Sequence, residues 1–249
     1  MPLVPVQKTS VSDAVFEQLR AEIVQGHIAP DADLPSEREL SQQLQVNRHA
    51  VREAVRRLEE AGLVTSLHGS GNRVNDFRRS AGLDLLPVLL VKAGGDVDTS
   101  VVRAVVELRH ALAPSVARAC AERGGPARAP VLQDLANQMR DCDDLAQLQQ
   151  WAIGFWDEVV EGSDNLAYRL AYNSLRKVYE PAQDVLGEVL APELRANWLY
   201  QTLADAMARG HGEDAALAAQ ALVRKGLDAV LAAIASYDAQ VRAAESSGC

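Results

Sequence analysis

Arginine is concentrated in one short stretch of this 249-residue chain, where Arg48, Arg52, Arg56 and Arg57 lie within ten positions. The guanidinium group presents paired N–H donors that fit a guanine edge or a phosphate. Arg48 and Arg52 are four positions apart, so on a helix they project from the same face. The spacing therefore predicts a helix that inserts basic side chains into DNA. A solvated helix face is the alternative for Arg48 and Arg52, and ion pairs with nearby glutamates explain Arg56 and Arg57 equally well.

Other residues around this helix also have types that contact DNA. Arg38 lies in the first turn of the preceding predicted helix, where that helix would cross the backbone of the duplex. His68 is followed by Gly69 in a glycine-rich turn, and glycine lets a backbone approach a narrow groove closely. The predicted DNA-binding residues are Arg38, Asn47, Arg48, His49, Arg52, His68 and Gly69.

The helix that carries these arginines is the third of three predicted helices. Ser36 and Glu39 form a capping-box pattern that opens the second helix, and Asn47 has the residue type that caps the third. Short β-type runs at 63–67 and 72–74 follow, joined by the glycine-rich turn. Three helices and then a hairpin predict a winged helix-turn-helix. The helices are expected over residues 11–25, 37–44 and 48–61.

Beyond residue 79 the sequence changes to alanine- and leucine-rich stretches separated by glycine and proline. This composition, with few β-branched runs, predicts an all-α bundle. The predicted fold class is mainly α, with an N-terminal winged helix-turn-helix that carries a small β wing and a C-terminal helical bundle. Residues 1–79 are predicted to form the DNA-binding domain, with 75–82 as linker, and 80–249 the effector-binding and dimerisation domain. Helices are expected over 82–93, 98–123, 127–141, 145–161, 165–188, 192–209 and 213–241.

Charge is divided unevenly between the two predicted domains. The net charge of −9 taken alone argues against a nucleic-acid partner. Up to Arg79, however, there are 10 basic and 11 acidic residues, a balance of −1, so the remaining −8 lies in the helical domain. The acidic charge therefore does not oppose DNA at close range.

Several classes of function are excluded by the motifs that the sequence lacks. It has no glycine-rich phosphate loop, GxSxG or HExxH motif, so we predict that the protein is not an enzyme. The three cysteines have no metal-ligand spacing, and their odd number is typical of a reducing cytoplasm. The longest apolar runs are far shorter than the roughly 20 residues that a bilayer requires. We expect a cytoplasmic protein without cofactor, metal or membrane contact.

The segment Leu34–Leu40 resembles the signature of the GntR superfamily of bacterial repressors. The likeness continues through Val51–Ala54 and Gly62–Val64 to His68 and Gly69, and it covers nearly all of the first domain. One winged helix reads only a few base pairs, so we expect a homodimer on a palindromic operator. The operator contacts that the resemblance implies are Arg38, Arg48, Arg52 and His68.

The helical domain is similar, more loosely, to the FadR group of that superfamily, in the junction 74–86 and around 165–179. Most members of the group hold a metal with one aspartate and three histidines. The matching positions here are Ala152, Trp156, Tyr200 and Gly226. We therefore expect no metal. The fatty-acid regulators of the group resemble a metal-free variant, and this similarity implies that a long-chain acyl-CoA binds in the bundle and releases the protein from DNA.

Candidate effector contacts in the bundle each have an ordinary structural alternative. Arg109 follows apolar residues on one helix face, so it could meet the carboxylate or phosphate of a ligand, or pair with Glu107 or a neighbouring helix. The aromatic residues around Trp156 could line an acyl pocket or simply form core. Gly226 inside a long helix indicates a close approach or plain tolerance. The predicted effector-binding residues are Arg109, Trp156, Asn173, Tyr179, Tyr200 and Gly226. Rival hypotheses are a small organic acid as effector and a helical domain that only dimerises.

Overall fold

A computed structural model shows that the chain separates into two units, Met1–Asp98 and Thr99–Cys249, each with its own hydrophobic core. Helices form most of both units, and the sheet consists of two antiparallel strands. The predicted fold class, mainly α with a winged first domain and a helical second domain, is confirmed. The residues that the structure describes are 11–67, 71–92, 96–180 and 183–247.

In the first unit, three helices pack around one core. The apolar residues of its first helix recur every fourth position, and Val15, Leu19 and Ile23 are buried as that period requires. The elements are α1 (Val11–Val24), α2 (Glu37–Gln43), α3 (Arg48–Glu60), β1 (Val64–Leu67), β2 (Gly71–Val74), α4 (Phe77–Ser80), a 3-10 turn (Leu83–Leu85) and α5 (Leu86–Leu89).

Two helix caps predicted from the sequence position α2 and α3. The Glu39 amide donates to Ser36 Oγ at 3.3 Å, and the Ser36 amide donates to Glu39 Oε2 at 2.8 Å. Hydrogen bonds from the hydroxyl and amide of Ser36 lower the pKa of Glu39 below its ordinary value. Asn47 Oδ1 accepts from the Ala50 amide at 2.8 Å. Between the helices Gln45 takes a left-handed conformation, with φ of 53°, that turns the chain. Both capping predictions are confirmed.

The wing is held against the helices by the chain that precedes α2. Asp33 forms a bridge with Arg73 of β2, and the Leu34 amide donates to the Asn72 carbonyl at 2.7 Å. This pairing extends the hairpin on one side and fixes its position in the first unit. The turn at the tip of the wing, residues 68–70, lies outside the described residues.

The segment after the wing is attached to the first unit by a buried arginine of α1. Arg20 is 3% exposed, its Nη1 donates to the Val88 carbonyl at 2.6 Å, and its Nη2 donates to the Val91 carbonyl. The continuous helix predicted over 82–93 is wrong, because regular helix ends at Leu89. The Val88 carbonyl, which would accept from the Lys92 amide in a continued helix, accepts from the guanidinium of Arg20. The Lys92 amide donates to the Asp96 carbonyl.

The first unit consequently extends beyond the wing. Leu85 is buried in the same core as α1 and α3, and Phe77 and Val88 pack against that core. Residues 75–82, predicted as a linker, thus lie within the first unit. The functional boundary at residue 79 stays a prediction.

The second unit is a helical bundle in which the two longest helices, α6 and α13, pack along each other. Phe155, Tyr200 and Leu222 are fully buried in its core. Within the described part of the chain, no helix combines the length and the apolarity that membrane crossing requires. The elements are α6 (Thr99–Arg123), α7 (Gly125–Arg140), α8 (Leu145–Gly162), α9 (Leu166–Tyr179), α10 (Gln183–Val189), α11 (Ala191–Leu194), α12 (Asn197–Arg209) and α13 (Gly212–Ser247).

Local side-chain chemistry fixes several helix ends in this unit. Asp144 and Asn165 cap α8 and α9, each through a side-chain oxygen that accepts a backbone amide at 2.9 Å. The single helix predicted over 165–188 is divided into α9 and α10. Pro181, which follows α9 in the sequence, has no N–H with which to continue the helical ladder. The helix predicted over 192–209 is likewise divided into α11 and α12.

Candidate DNA-binding surface and buried polar cluster

The exposed face of α3 is basic. Arg48, His49 and Arg52 are exposed on it, whereas Val51 and Leu58 on the buried side have no exposed surface. Within the described ranges neither the arginine at 48 nor the one at 52 has an ion-pair partner. Binding of these side chains to a phosphate or a base edge therefore breaks no ion pair among the described residues. The helix presents two guanidinium groups one turn apart, next to its own N-terminal amides.

The other two arginines of α3 are engaged within the first unit. Arg56 pairs with two glutamates of its own helix, one of which, Glu53, brings Oε1 to 2.5 Å from Arg56 Nη2. Arg57 Nη1 lies 2.5 Å from Asp13 Oδ1 on α1. The guanidinium carbon of Arg57 also lies 4.1 Å from the centre of the Phe16 ring. Pairing with nearby glutamates is therefore confirmed for Arg56. Arg57 pairs instead with Asp13 and so ties α3 to α1.

The remaining predicted DNA contacts are spread over three elements. Arg38 is exposed in the first turn of α2. The side chain of Asn47 caps α3, so its oxygen is already used by the Ala50 amide. His68 and Gly69 lie outside the described residues. Contact with DNA stays a prediction for all seven residues.

A buried ion pair lies in the second unit. Arg109 Nη1, on α6, donates to Oε2 of Glu193, on α11, at 2.7 Å, and Arg109 Nη2 donates to Oε1. The side chain of Glu193 is 3% exposed and that of Arg109 29% exposed. Desolvation disfavours the charged guanidinium, but the carboxylate of Glu193 outweighs it and raises the pKa of Arg109 above its ordinary value. Arg109 is thus paired with a neighbouring helix, which is one of the two interpretations of the sequence.

Gly226, on α13, packs directly against this pair. A Cβ at this position would overlap Glu193 Oε2 and would lie 3.1 Å from both Glu193 Cδ and Leu190 Cδ2. A close approach, and not plain tolerance, therefore explains the glycine inside this long helix. Glu193 could not be identified from the sequence, because its partner is 84 positions away and an acid in a first helical turn is common.

Two polar atoms near the pair lack a hydrogen-bond partner among the described residues, namely Tyr200 Oη and Trp156 Nε1. Tyr200 is 0% exposed and Trp156 8%. The Trp156 ring centre lies 5.8 Å from the guanidinium carbon of Arg109. Burial, followed by the charge of Glu193, raises the pKa of Tyr200 well above its ordinary value, so the phenol stays a neutral donor. We call Arg109, Trp156, Glu193, Tyr200 and Gly226 the buried polar cluster.

The polar residues of α9 divide between this cluster and the surface. Burial raises the pKa of Tyr179 to about 12, and the charges of the ion pair also act on it, so Tyr179 lies near the cluster. Tyr172, which sequence analysis did not select, donates to the Ile153 carbonyl at 3.2 Å and is also affected by the charge of Arg109. Asn173 is exposed on the same helix, so the structure does not bring it to the cluster. Its contact with an effector stays a prediction.

The buried polar cluster does not fit a metal ion. The four positions that the family resemblance assigns to metal ligands, Ala152, Trp156, Tyr200 and Gly226, offer a methyl group, an indole, a phenol and a glycine. The carboxylate of Glu193 is already paired, and a metal ion beside it would meet the positive charge of Arg109. Among the described residues, no group of three or more His, Cys, Asp or Glu side chains could hold a metal.

Comparison with known proteins matches both units. Residues 11–74 match the family model described as bacterial regulatory proteins, gntR family, and residues 104–225 match the FCD domain. The chain is 40% identical over 236 residues to the HTH-type transcriptional regulator Mce2R of Mycobacterium tuberculosis. That match covers 95% of this chain and 98% of the relative.

More distant similarity extends to regulators whose names concern fatty acids. The fatty acid metabolism regulator protein of Pasteurella multocida is 28% identical over 182 residues, which cover 72% of this chain and 71% of the relative. The corresponding protein of Yersinia enterocolitica is 30% identical over 151 residues, with coverage of 60% and 61%. The solved structure of Lar, which controls expression of the Listeria monocytogenes agr system, has a TM-score of 0.53 at 14% identity. The match covers 91% of this chain and 99% of Lar, and it supports a common fold for the two proteins.

Proposed function

This chain belongs to the GntR family of bacterial transcriptional regulators and carries an FCD domain, and we propose that it binds a palindromic operator as a homodimer and releases it when a fatty-acid-derived effector enters the helical unit. Its homologues are transcriptional regulators and not enzymes. The observation that carries the DNA-binding part of the proposal is the pair of exposed arginines on α3, Arg48 and Arg52, which have no ion-pair partner among the residues that the structure describes.

Arg48 and Arg52 lie in the first half of α3, which is the part of a recognition helix that reaches base edges in the major groove. The buried face of the helix packs on the first unit, so the basic face is the one that remains for DNA. Arg38 in α2 supplies a backbone contact beside it. The wing residues His68 and Gly69 complete the predicted surface at the minor groove.

We expect selection from a random duplex pool to return inverted repeats whose half-sites are centred about 10 base pairs apart. Two copies of α3 related by a two-fold axis meet successive major grooves on one side of the duplex, which produces that spacing. Sedimentation of the full-length protein with the selected duplex should give two protein chains per DNA. A single half-site bound by one chain at full affinity would contradict the homodimer.

Long-chain acyl-CoA is the first candidate for the effector. Relatives at 28–30% identity are named fatty acid metabolism regulators, and the buried polar cluster provides a cation and two neutral donors within an otherwise apolar core. An acyl chain is compatible with the apolar core, while a thioester or phosphate requires polar groups of this kind. The cluster is therefore the place where we expect the polar part of the effector.

We expect palmitoyl-CoA at micromolar concentration to release the full-length protein from its selected duplex, as measured by fluorescence anisotropy. Coenzyme A without the acyl chain should not do so, because it lacks the part that the apolar core would bind. At 100 times its dissociation constant the ligand should stabilise the protein by about 2.7 kcal/mol, which corresponds to roughly 5–10 °C in the melt. Arg109→Met should weaken this response, and Arg224→Met should not, because Arg224 pairs with Asp228 on the exposed side of α13.

A small organic acid is the second candidate, and the geometry of Arg109 favours it, because both of its terminal nitrogens already hold a carboxylate. In the same assay, release by succinate or another small acid without any effect of palmitoyl-CoA would select this alternative. The DNA-binding part of the proposal is unaffected by which effector is found.

A further inference from the structure

The guanidinium of Arg109 is already bound to a carboxylate, and that carboxylate belongs to the protein itself. Each Glu193 oxygen accepts from a different terminal nitrogen, in the bidentate geometry with which arginine recognises carboxylates in general. We propose that Arg109 forms a carboxylate-binding site that Glu193 occupies as an internal ligand, and that the carboxylate of an effector binds by displacing Glu193. This inference rests on the proposed function for the location of the effector site, and it requires an effector with a free carboxylate, which a small organic acid or a fatty acid has and an acyl-CoA thioester lacks.

Arg109 is more exposed than Glu193, as an exchange of one carboxylate for another at Arg109 requires. The side chain of Arg109 keeps 29% of its surface exposed, whereas Glu193 keeps 3%. The Arg109 side chain is therefore the partner that an incoming anion can reach first, whereas Glu193 is enclosed by the protein. Because one anion replaces another, Arg109 is not left without a partner, and the main cost of the exchange is the release of Glu193.

Two buried donors give an exogenous carboxylate an advantage over Glu193. Tyr200 Oη and Trp156 Nε1 are both more than nine-tenths buried and have no acceptor among the described residues, so Glu193 accepts from neither. A buried donor without an acceptor is unfavourable. A ligand carboxylate that accepts from either of them gains a hydrogen bond that the internal ligand does not make, which allows it to compete with a tethered group.

The residues around Glu193 limit the directions in which its carboxylate can move away from Arg109. Its Oε2 fills the space beside Gly226 that a Cβ would occupy, so the carboxylate cannot move closer to α13. Glu193 belongs to α11, which is one turn long, so that a shift of this helix alters few backbone hydrogen bonds. We therefore expect displacement of the carboxylate to shift α11, and we infer that this shift is the structural response to effector binding.

Chemical rescue of Glu193→Ala in the full-length protein tests the proposal. The substitution removes the γ-carbon and the carboxyl group, which together correspond to acetate. We expect the melting temperature to fall by about 10 °C, because a buried arginine loses its partner. Sodium acetate at tens of millimolar should restore most of that loss. Acetamide, which has the same shape without the charge, and sodium chloride at the same ionic strength should not.

Controls separate this site from general effects of salt. Wild-type protein, in which Glu193 fills the site, should show no acetate-specific shift, and Arg109→Met combined with Glu193→Ala should show no rescue. Acetate shifts of equal size in all three proteins, or none in Glu193→Ala, would overturn the proposal.

A second variant keeps the test informative if Glu193→Ala does not fold. Glu193→Gln retains the shape but competes less for the guanidinium, so we expect it to bind a carboxylate about tenfold more tightly than wild type by calorimetry. Decanoate and succinate are the two probes, and the one that gains affinity distinguishes a fatty acid from a small organic acid. Unchanged affinity for both would overturn the internal-ligand proposal. Failure of palmitoyl-CoA to release DNA, with acetate rescue intact, would count only against the proposed acyl-CoA effector.

Discussion

Replacing Arg52 with alanine is expected to weaken binding to the selected duplex by about 5- to 150-fold, which corresponds to the roughly 1–3 kcal/mol that a base-reading arginine contributes. Arg52 is exposed in α3 and has no ion-pair partner within the described residues. Its removal therefore eliminates a DNA contact without breaking an internal one. Fluorescence anisotropy of the full-length protein, on the selected duplex and on a scrambled duplex of equal composition, measures the effect. A base contact predicts a larger loss on the selected duplex.

Arg56→Ala is the matched control, since it removes the same charge from the same helix. Arg56 is already held by two glutamates of α3, so we expect its loss to change operator affinity little. Equal losses in the two variants would mean that only net charge acts on DNA. An equal loss for Arg52→Ala on both duplexes would make Arg52 a phosphate contact. The melts of both variants should match that of the wild type, which excludes unfolding as the cause.

The exposed basic face of α3 could be predicted from the sequence because it depends on local spacing. A helical period places Arg48 and Arg52 on one face whatever the rest of the chain does, and the cap formed by Asn47 involves residues three positions apart. Local spacing did not decide between DNA contact and ion pairing for Arg56 and Arg57. The partner of Arg57 is Asp13 on α1, 44 positions away, and only the packing of two helices brings these residues together.

The buried polar cluster shows where prediction from one sequence stops. Resemblance to the FadR group selected Trp156, Tyr200 and Gly226, and the structure places all three around the ion pair of Arg109 and Glu193. The residue that joins them, Glu193, could not be found, because a buried acid has the same local pattern as an exposed one in a first helical turn. Arg20 was missed for the same reason, since its acceptors are backbone carbonyls 68 and 71 positions away, and backbone carbonyls carry no sequence signal.

Gly226→Ala is expected to destabilise the helical unit, although the same change in an ordinary helix is stabilising. Alanine is favoured over glycine by about 1 kcal/mol in a helix interior, but the loss of a buried ion-pair partner costs about 3–5 kcal/mol, so the net cost is roughly 2–4 kcal/mol. The reason is that the new Cβ would overlap Glu193 Oε2 and push the carboxylate away from Arg109. Urea unfolding of the full-length protein, followed by the fluorescence of its tryptophans, measures this free energy.

Two comparisons show whether the overlap with Glu193 is the cause. Gly154→Ala in α8 is the matched control, because its Cβ would lie 3.8 Å from the nearest atom of Leu135, an ordinary contact, and we expect it to stabilise by up to about 1 kcal/mol. When Glu193 is already alanine, Gly226→Ala should cost close to nothing, since only Leu190 remains to be displaced slightly. A cost that is the same with and without Glu193 would show that Gly226 serves another contact. Coupling between the two changes would instead show that Gly226 is required because Glu193 must reach Arg109.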